Sequence, residues 1–156
     1  MTRVFDAPCD TVWKTWTESD RLIQWWGPKG FMMLSCKLDL RPGGTFHYNL
    51  RSPDESDMLG KFMYREIVRP ERLVFVVSFS DKDGNTVHAP FSENWPLEIL
   101  SIVTFAEYGG RTKITGRWTP LNATEDERRT FEAGQESMKR GFTGTFEQLA
   151  EYMKRY

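Results

Sequence analysis

The sequence has little cysteine and no excess of charge of one sign. Its 156 residues include only Cys9 and Cys36, which supply neither a disulfide framework nor the ligand spacing of a metal site. We therefore expect two free thiols in a reducing compartment. Lys and Arg total 21 against 22 Asp and Glu. This balance argues against a nucleic-acid or anionic-membrane partner, because such proteins carry a basic excess.

Long apolar runs are also missing. The longest, such as residues 31–34, fall far short of the roughly 20 residues that cross a bilayer as a helix. At the N-terminus, Asp6 stands where a signal peptide needs its apolar region. The sequence thus predicts a cytoplasmic protein. Its length predicts one domain over residues 1–156.

Alternating apolar and polar residues predict a sheet. Within residues 31–40, Met32, Leu34 and Cys36 fall on one apolar face, which predicts that this face, with the Cys36 thiol, is buried. Short turns between the strands indicate antiparallel pairing. The predicted strands are residues 2–7, 31–40, 45–51, 58–68, 72–80, 98–108 and 111–118.

Helical spacing predicts two short helices after the first strand and one long helix at the C-terminus. Ser19 is placed to cap the second short helix. The long helix begins with a capping box of Thr124 and Glu127 and extends to about Tyr152, with Gly134 as a point of kinking. An α+β fold follows, in which a seven-stranded antiparallel sheet covers one face of the long helix.

Four glycines stand where glycine is unfavourable: Gly141 and Gly144 in the long helix, and Gly60 and Gly116 in strands. Two interpretations remain open. The glycines either allow close packing of the helix on the sheet or leave space for a bound apolar molecule.

The aromatic residues make up 14% of the chain, more than a minimal core needs, and apolar pockets commonly bind small molecules. Glu66 follows Phe62 and Tyr64 on one strand face, so it is either a pocket acid or a residue left solvated at a bulge. The candidate ligand-binding residues are Trp25, Trp26, Phe31, Tyr48, Phe62, Tyr64, Glu66, Phe75, Trp118, Met138 and Phe142.

Neither histidine predicts a metal site. His47 lies on the strand face opposite to Phe46 and Tyr48 and is expected to point outward, while His88 lies in an irregular loop that could reach a pocket mouth. Neither has cysteine or carboxylate neighbours at ligand spacing. We expect no metal and no cofactor, and we assign no catalytic residue.

Several segments together resemble one protein family. They are residues 4–8 (VFDAP), 12–17 (VWKTWT), 24–31 (QWWGPKGF), 39–44 (DLRPGG), 64–73 (YREIVRPERL), 103–113 (VTFAEYGGRTK) and 141–152. These segments are similar to the activator-of-heat-shock-protein-90-ATPase homologue-like proteins, of the START-like, Bet v 1-like (SRPBCC) superfamily. The resemblance implies a helix-grip fold, in which the sheet grips the long helix over a cavity. The eukaryotic activator has an N-terminal region without a counterpart in this sequence, so we do not expect a chaperone partner.

Three hypotheses for function follow. The first is binding of a small apolar or aromatic molecule between the sheet and the C-terminal helix. The second is an enzyme of the polyketide cyclase or dehydratase type, with an acid such as Glu66 and a donor such as Tyr64 or His88. The third is a chaperone-linked or self-associating module that binds protein through a sheet face or edge, with a homodimer left open.

Overall fold

The computed structural model describes residues 1–155, in which one antiparallel sheet wraps around a C-terminal helix. Seven strands lie in the order β1-β8-β7-β5-β4-β3-β2, and the two-residue β6 pairs with the end of β5. This arrangement confirms the predicted helix-grip fold. The strands are β1 (Thr2–Phe5), β2 (Met32–Leu38), β3 (Thr45–Arg51), β4 (Asp57–Val68), β5 (Arg72–Ser80), β6 (Thr86–Val87), β7 (Ile99–Tyr108) and β8 (Arg111–Pro120).

Four helices cover the inner face of the sheet or flank it: α1 (Cys9–Thr17), α2 (Ser19–Trp25), α3 (Glu125–Ala133) and α4 (Gln135–Met153). The capping box forms as expected, since the Thr124 hydroxyl accepts from the backbone N–H of Glu127 and the Glu127 carboxylate accepts from that of Thr124. The long helix is not continuous, however. It divides at Gly134 into α3 and α4, a stronger break than the expected kink.

Aromatic side chains fill the middle of the space between the sheet and α4. The Trp16 ring lies 4.9 Å from the Trp25 ring and 6.1 Å from the Phe146 ring. On the sheet, Phe62 stacks on Phe75 at 4.3 Å. All five side chains are at most 2% exposed. Aromatic pairs at these distances add to the stabilisation gained from burial, so this region is a packed core.

In the first half of β2 the side chains point to the face of the sheet opposite to the one predicted. Met32 is 66% exposed and Leu34 is 39% exposed, whereas Met33 is buried. A register shift between Met33 and Ser35 against β3 explains the difference, because one extra residue moves the following side chains to the other face. Beyond the shift, Cys36 returns to the inner phase and is half-buried. Burial raises the pKa of its thiol.

Strand β5 is covered on both faces, as its continuous apolar run predicts. Leu73 and Phe75 are buried toward the helix, while Val74 and Val76 are buried on the other face. None of the helices in the described part of the chain is both long and apolar enough to cross a membrane.

Candidate functional site

An apolar cleft of about 360 Å³ opens where the N-terminal half of α4 passes over the sheet. Its volume lies within the range of small-molecule pockets, roughly 300–1,000 Å³. Its walls come from α4, the loop after α2, strands β3 to β5 and the loop before β7. They are formed by Trp26, Gly27, Pro28, Phe31, Tyr48, Leu50, Met58, Phe79, Phe91, Met138, Gly141, Phe142 and Thr145.

Hydrogen bonds from α4 hold the loop after α2 in place as one wall. The Thr145 hydroxyl donates to the carbonyl oxygen of Gly27 at 2.9 Å, and the Gln148 side-chain amide donates to the same oxygen at 2.7 Å. Gly27 has a φ of +119°, a backbone conformation that favours glycine. This turn directs Trp26 and Phe31 toward the cleft.

Contacts between aromatic rings hold the opposite wall. Phe91 packs against Phe79 of β5 at 5.7 Å and against Trp95 at 5.4 Å. Trp95 in turn packs against Phe131 of α3 at 5.4 Å. The loop before β7 is thereby fastened to the sheet and to α3. Phe91 remains 64% exposed, so its ring forms the rim of the cleft.

Tyr48 is the titratable residue of the cleft wall. It is 7% exposed, and burial raises the pKa of its hydroxyl to about 12, against an opposing hydrogen bond from the Trp26 side chain. The hydroxyl is therefore protonated at neutral pH. The wall has one other polar side chain among the described residues, Thr145, whose hydroxyl already donates to Gly27 and lies 3.0 Å from the carbonyl oxygen of Gly141.

The four unusual glycines divide between the two interpretations. Gly141 lines the cleft, and a Cβ placed on it would meet nothing within 4 Å, so this glycine does leave open space. A Cβ on Gly144 would touch Lys29 at 3.4 Å. Gly60 and Gly116 lie under the side chains of Tyr48 and Trp118, so both allow close packing within the sheet.

Five of the candidate ligand-binding residues line this cleft: Trp26, Phe31, Tyr48, Met138 and Phe142. Trp118 lies beside it. The Trp118 ring stacks on Phe142 at 4.1 Å and borders a second cleft of about 380 Å³. Because Phe142 and Met138 line both openings, they separate the two clefts.

Four other candidates belong to the packed core. Trp25, Phe62, Tyr64 and Phe75 are each 1% exposed, and none lines the apolar cleft. The Trp25 indole N–H donates to the carbonyl oxygen of Thr15 at 2.9 Å. Burial raises the pKa of the Tyr64 hydroxyl, which has no hydrogen-bond partner among residues 1–155.

Glu66 is not a pocket acid but the other alternative, a residue left solvated at a bulge. A register shift between Tyr64 and Glu66 turns its carboxylate to an exposed position, where it pairs with Arg72 at 3.3 Å. The expected acid–base arrangement of Glu66 with Tyr64 or His88 is therefore not assembled in the cleft, since none of the three residues lines it.

The histidines occupy other parts of the surface. His47 is half-buried, with Nε2 2.9 Å from the Ser80 hydroxyl and 3.2 Å from the carbonyl oxygen of Asp81. His88 is exposed. Within residues 1–155 no three His, Cys, Asp or Glu side chains come together as a metal site.

Sequence reasoning missed Phe79 and Phe91 as cleft residues. Phe79 ends the row of β5 that includes Phe75 and Val77, and alternation along a strand gives the face of a side chain without showing that the sheet is open there. Phe91 lies in an irregular loop, where no periodicity indicates the direction of a side chain.

Comparisons with known proteins agree with this architecture. The chain matches the family described as Activator of Hsp90 ATPase homolog 1-like protein over residues 6–154. A solution structure of an Arthrobacter aurescens protein is similar, with 24% identity, a TM-score of 0.78, and coverage of 99% of this chain and 84% of that one. A Nitrosomonas europaea protein gives 22% identity, a TM-score of 0.77, and coverage of 99% and 92%. A Mycobacterium smegmatis protein is 24% identical with a TM-score of 0.75, and the match covers 96% of this chain and 86% of that one. The search of curated proteins gives no match.

Proposed function

The chain belongs to the Activator of Hsp90 ATPase homolog 1-like family, and we propose that it binds a small, uncharged aromatic molecule in the apolar cleft. The observation that carries this proposal is the composition of the cleft wall. Five aromatic rings besides Tyr48 border the cleft, from Trp26, Phe31, Phe79, Phe91 and Phe142. Faces and edges of aromatic rings favour a flat ring system between them.

The wall also favours a ligand without charge. It carries no carboxylate, ammonium, guanidinium or imidazole group among the described residues, and Tyr48 remains neutral because its pKa is raised to about 12. A charged ligand would lose hydration in the cleft without gaining a partner, which is costly. Another groove, of about 610 Å³, is bordered by Lys29, Glu147 and Lys154 and lacks such an apolar wall.

A titration with naphthalene, followed by NMR of the tryptophan indole N–H groups, tests the proposal. A binding free energy of about 0.5 kcal/mol for each carbon atom of naphthalene corresponds to a Kd on the order of 100 µM. We expect the Trp26 signal to shift in the wild-type protein. The variant Gly141→Leu should weaken binding at least about 10-fold, because its side chain enters the open space beside Gly141.

The variant Thr143→Leu is the matched control, since it adds the same side chain to α4 at an exposed position. It should bind naphthalene as the wild type does. Absence of binding to the wild-type protein would overturn the proposal. Equal binding by Gly141→Leu and wild type would place the ligand elsewhere and would overturn it as well.

A further inference from the structure

Beside the apolar cleft lies a small pocket of about 60 Å³, the extension, which is lined by β3, β4, β5, the start of β7 and the loop before it. The extension and the cleft share Tyr48, Met58 and Phe79 as lining residues. The extension has about one sixth of the volume of the cleft, so it holds a smaller group than the cleft does. It suits a small substituent on a ligand whose ring system lies in the cleft.

The Tyr48 hydroxyl lies at this extension. Gly60 lines the extension, and a Cβ on Gly60 would come within 2.5 Å of the Tyr48 hydroxyl oxygen. Glycine at this position is what allows the hydroxyl to lie there. The ring is held by Phe46 at 5.1 Å and Phe62 at 5.8 Å, so the hydroxyl is fixed before any ligand arrives.

The Tyr48 hydroxyl accepts a hydrogen bond but donates none within the described residues. The indole N–H of Trp26 is only a donor, so in the hydrogen bond between the two side chains the Tyr48 oxygen accepts. Among residues 1–155 the bond with Trp26 is the one formed by this hydroxyl, so its proton is available to a ligand. A hydroxyl in the wall of the cleft that donates to no protein acceptor can donate to an acceptor on the ligand, which strengthens binding.

We propose that Tyr48 donates a hydrogen bond to the ligand, which is therefore a neutral aromatic compound with a hydrogen-bond acceptor, of the ketone type, attached to its ring system. This inference rests on the proposed function and specifies the chemistry of the ligand. The ring system lies between Trp26 and Phe142, and the acceptor oxygen enters the extension above Gly60.

Two probes of nearly the same shape test the inference: 1-tetralone, which has a ring carbonyl, and tetralin, which has none. We expect wild type to bind 1-tetralone more tightly than tetralin. Tyr48→Phe should weaken the binding of 1-tetralone about 2- to 10-fold, the usual range for one neutral hydrogen bond. It should change the affinity for tetralin less than 2-fold. Tyr108→Phe, at a half-exposed tyrosine outside the cleft, is the matched control and should change neither.

The infrared carbonyl stretch of bound 1-tetralone gives a second test that needs no variant. We expect it at lower wavenumber in the wild-type protein than in cyclohexane, as for a hydrogen-bonded ketone. A stretch equal to that in cyclohexane would overturn the inference. If Tyr48→Phe changed the affinity for both probes equally, the inference would also be overturned. The proposed binding function would stand in that case. If neither probe bound to wild type, the proposed function and this inference would both fall.

Discussion

The Thr145 hydroxyl donates to the carbonyl oxygen of Gly27 at 2.9 Å, which ties α4 to a loop 118 residues earlier in the chain. Thr145 is 4% exposed, so water competes little for this bond. Together with the Gln148 bond to the same oxygen, this bond holds two walls of the cleft at their distance from each other.

We therefore expect Thr145→Val to lower the free energy of unfolding by about 1 kcal/mol, the usual net value of one hydrogen bond. Valine keeps the shape of threonine but cannot donate. Urea denaturation measures the change. Thr143→Val is the control on the same helix, because Thr143 is exposed and its hydroxyl bonds only within α4, to Lys139. Equal effects of the two variants would contradict the assigned role of Thr145.

Gly60→Ala tests the close approach of Tyr48. The new Cβ would lie 2.5 Å from the Tyr48 hydroxyl oxygen and 2.7 Å from the ring carbon that carries it. Crowding of this kind costs about 1–3 kcal/mol of stability. In a Tyr48→Ala background the same substitution should cost much less, and a double-mutant cycle from urea denaturation measures the difference. A cost that did not depend on Tyr48 would show that another contact restricts residue 60.

Gly141→Ala should have the opposite effect. No atom lies within 4 Å of the position of its Cβ, and alanine stabilises a helix interior by about 1 kcal/mol relative to glycine. We expect the midpoint of thermal unfolding to rise, with only modest weakening of naphthalene binding because the methyl group is small. A fall in the midpoint would mean that the space beside Gly141 is filled in solution.

Alkaline pH should destabilise the protein in part through Tyr48. Its pKa is raised to about 12 in the folded state, against about 10 in an unfolded chain. Between these pH values the folded state binds more protons than the unfolded state. The contribution of Tyr48 to the free energy of unfolding is therefore fully present below about pH 10 and is lost as pH rises toward 12. The loss is about 1.4 kcal/mol per pH unit. Urea denaturation at pH 9, 10 and 11 should give a steeper fall for wild type than for Tyr48→Phe, and equal slopes would contradict the buried environment of Tyr48.

Periodicity predicted the fold well because the strands and turns obey local rules. Strand β3 and strand β5 have the predicted bounds, and the capping box at Thr124 forms with the predicted partner. The errors arise where one residue shifts the phase. The bulge after Met33 reverses the start of β2, and a similar shift exposes Glu66.

The candidate site was predictable only in part, because lining a cleft depends on tertiary packing. Trp25 and Trp26 are adjacent in sequence, yet Trp25 ends α2 and is buried in the core, whereas Trp26 follows the helix and lines the cleft. No sequence pattern separates these two outcomes. Phe91 reaches the cleft through contacts with Phe79 and Trp95, which only the folded chain brings together.

The most direct test of ligand binding in the apolar cleft is a naphthalene titration followed by NMR of the methionine methyl groups. The seven methionines are spread over the molecule. Met58 and Met138 line the cleft, Met1 lines the second cleft with Met138, and Met63 lines neither. We predict saturable shifts of the Met58 and Met138 signals, with Met63 unchanged. Shifts of Met1 and Met138 without Met58, or no saturable shift at all, would contradict the account.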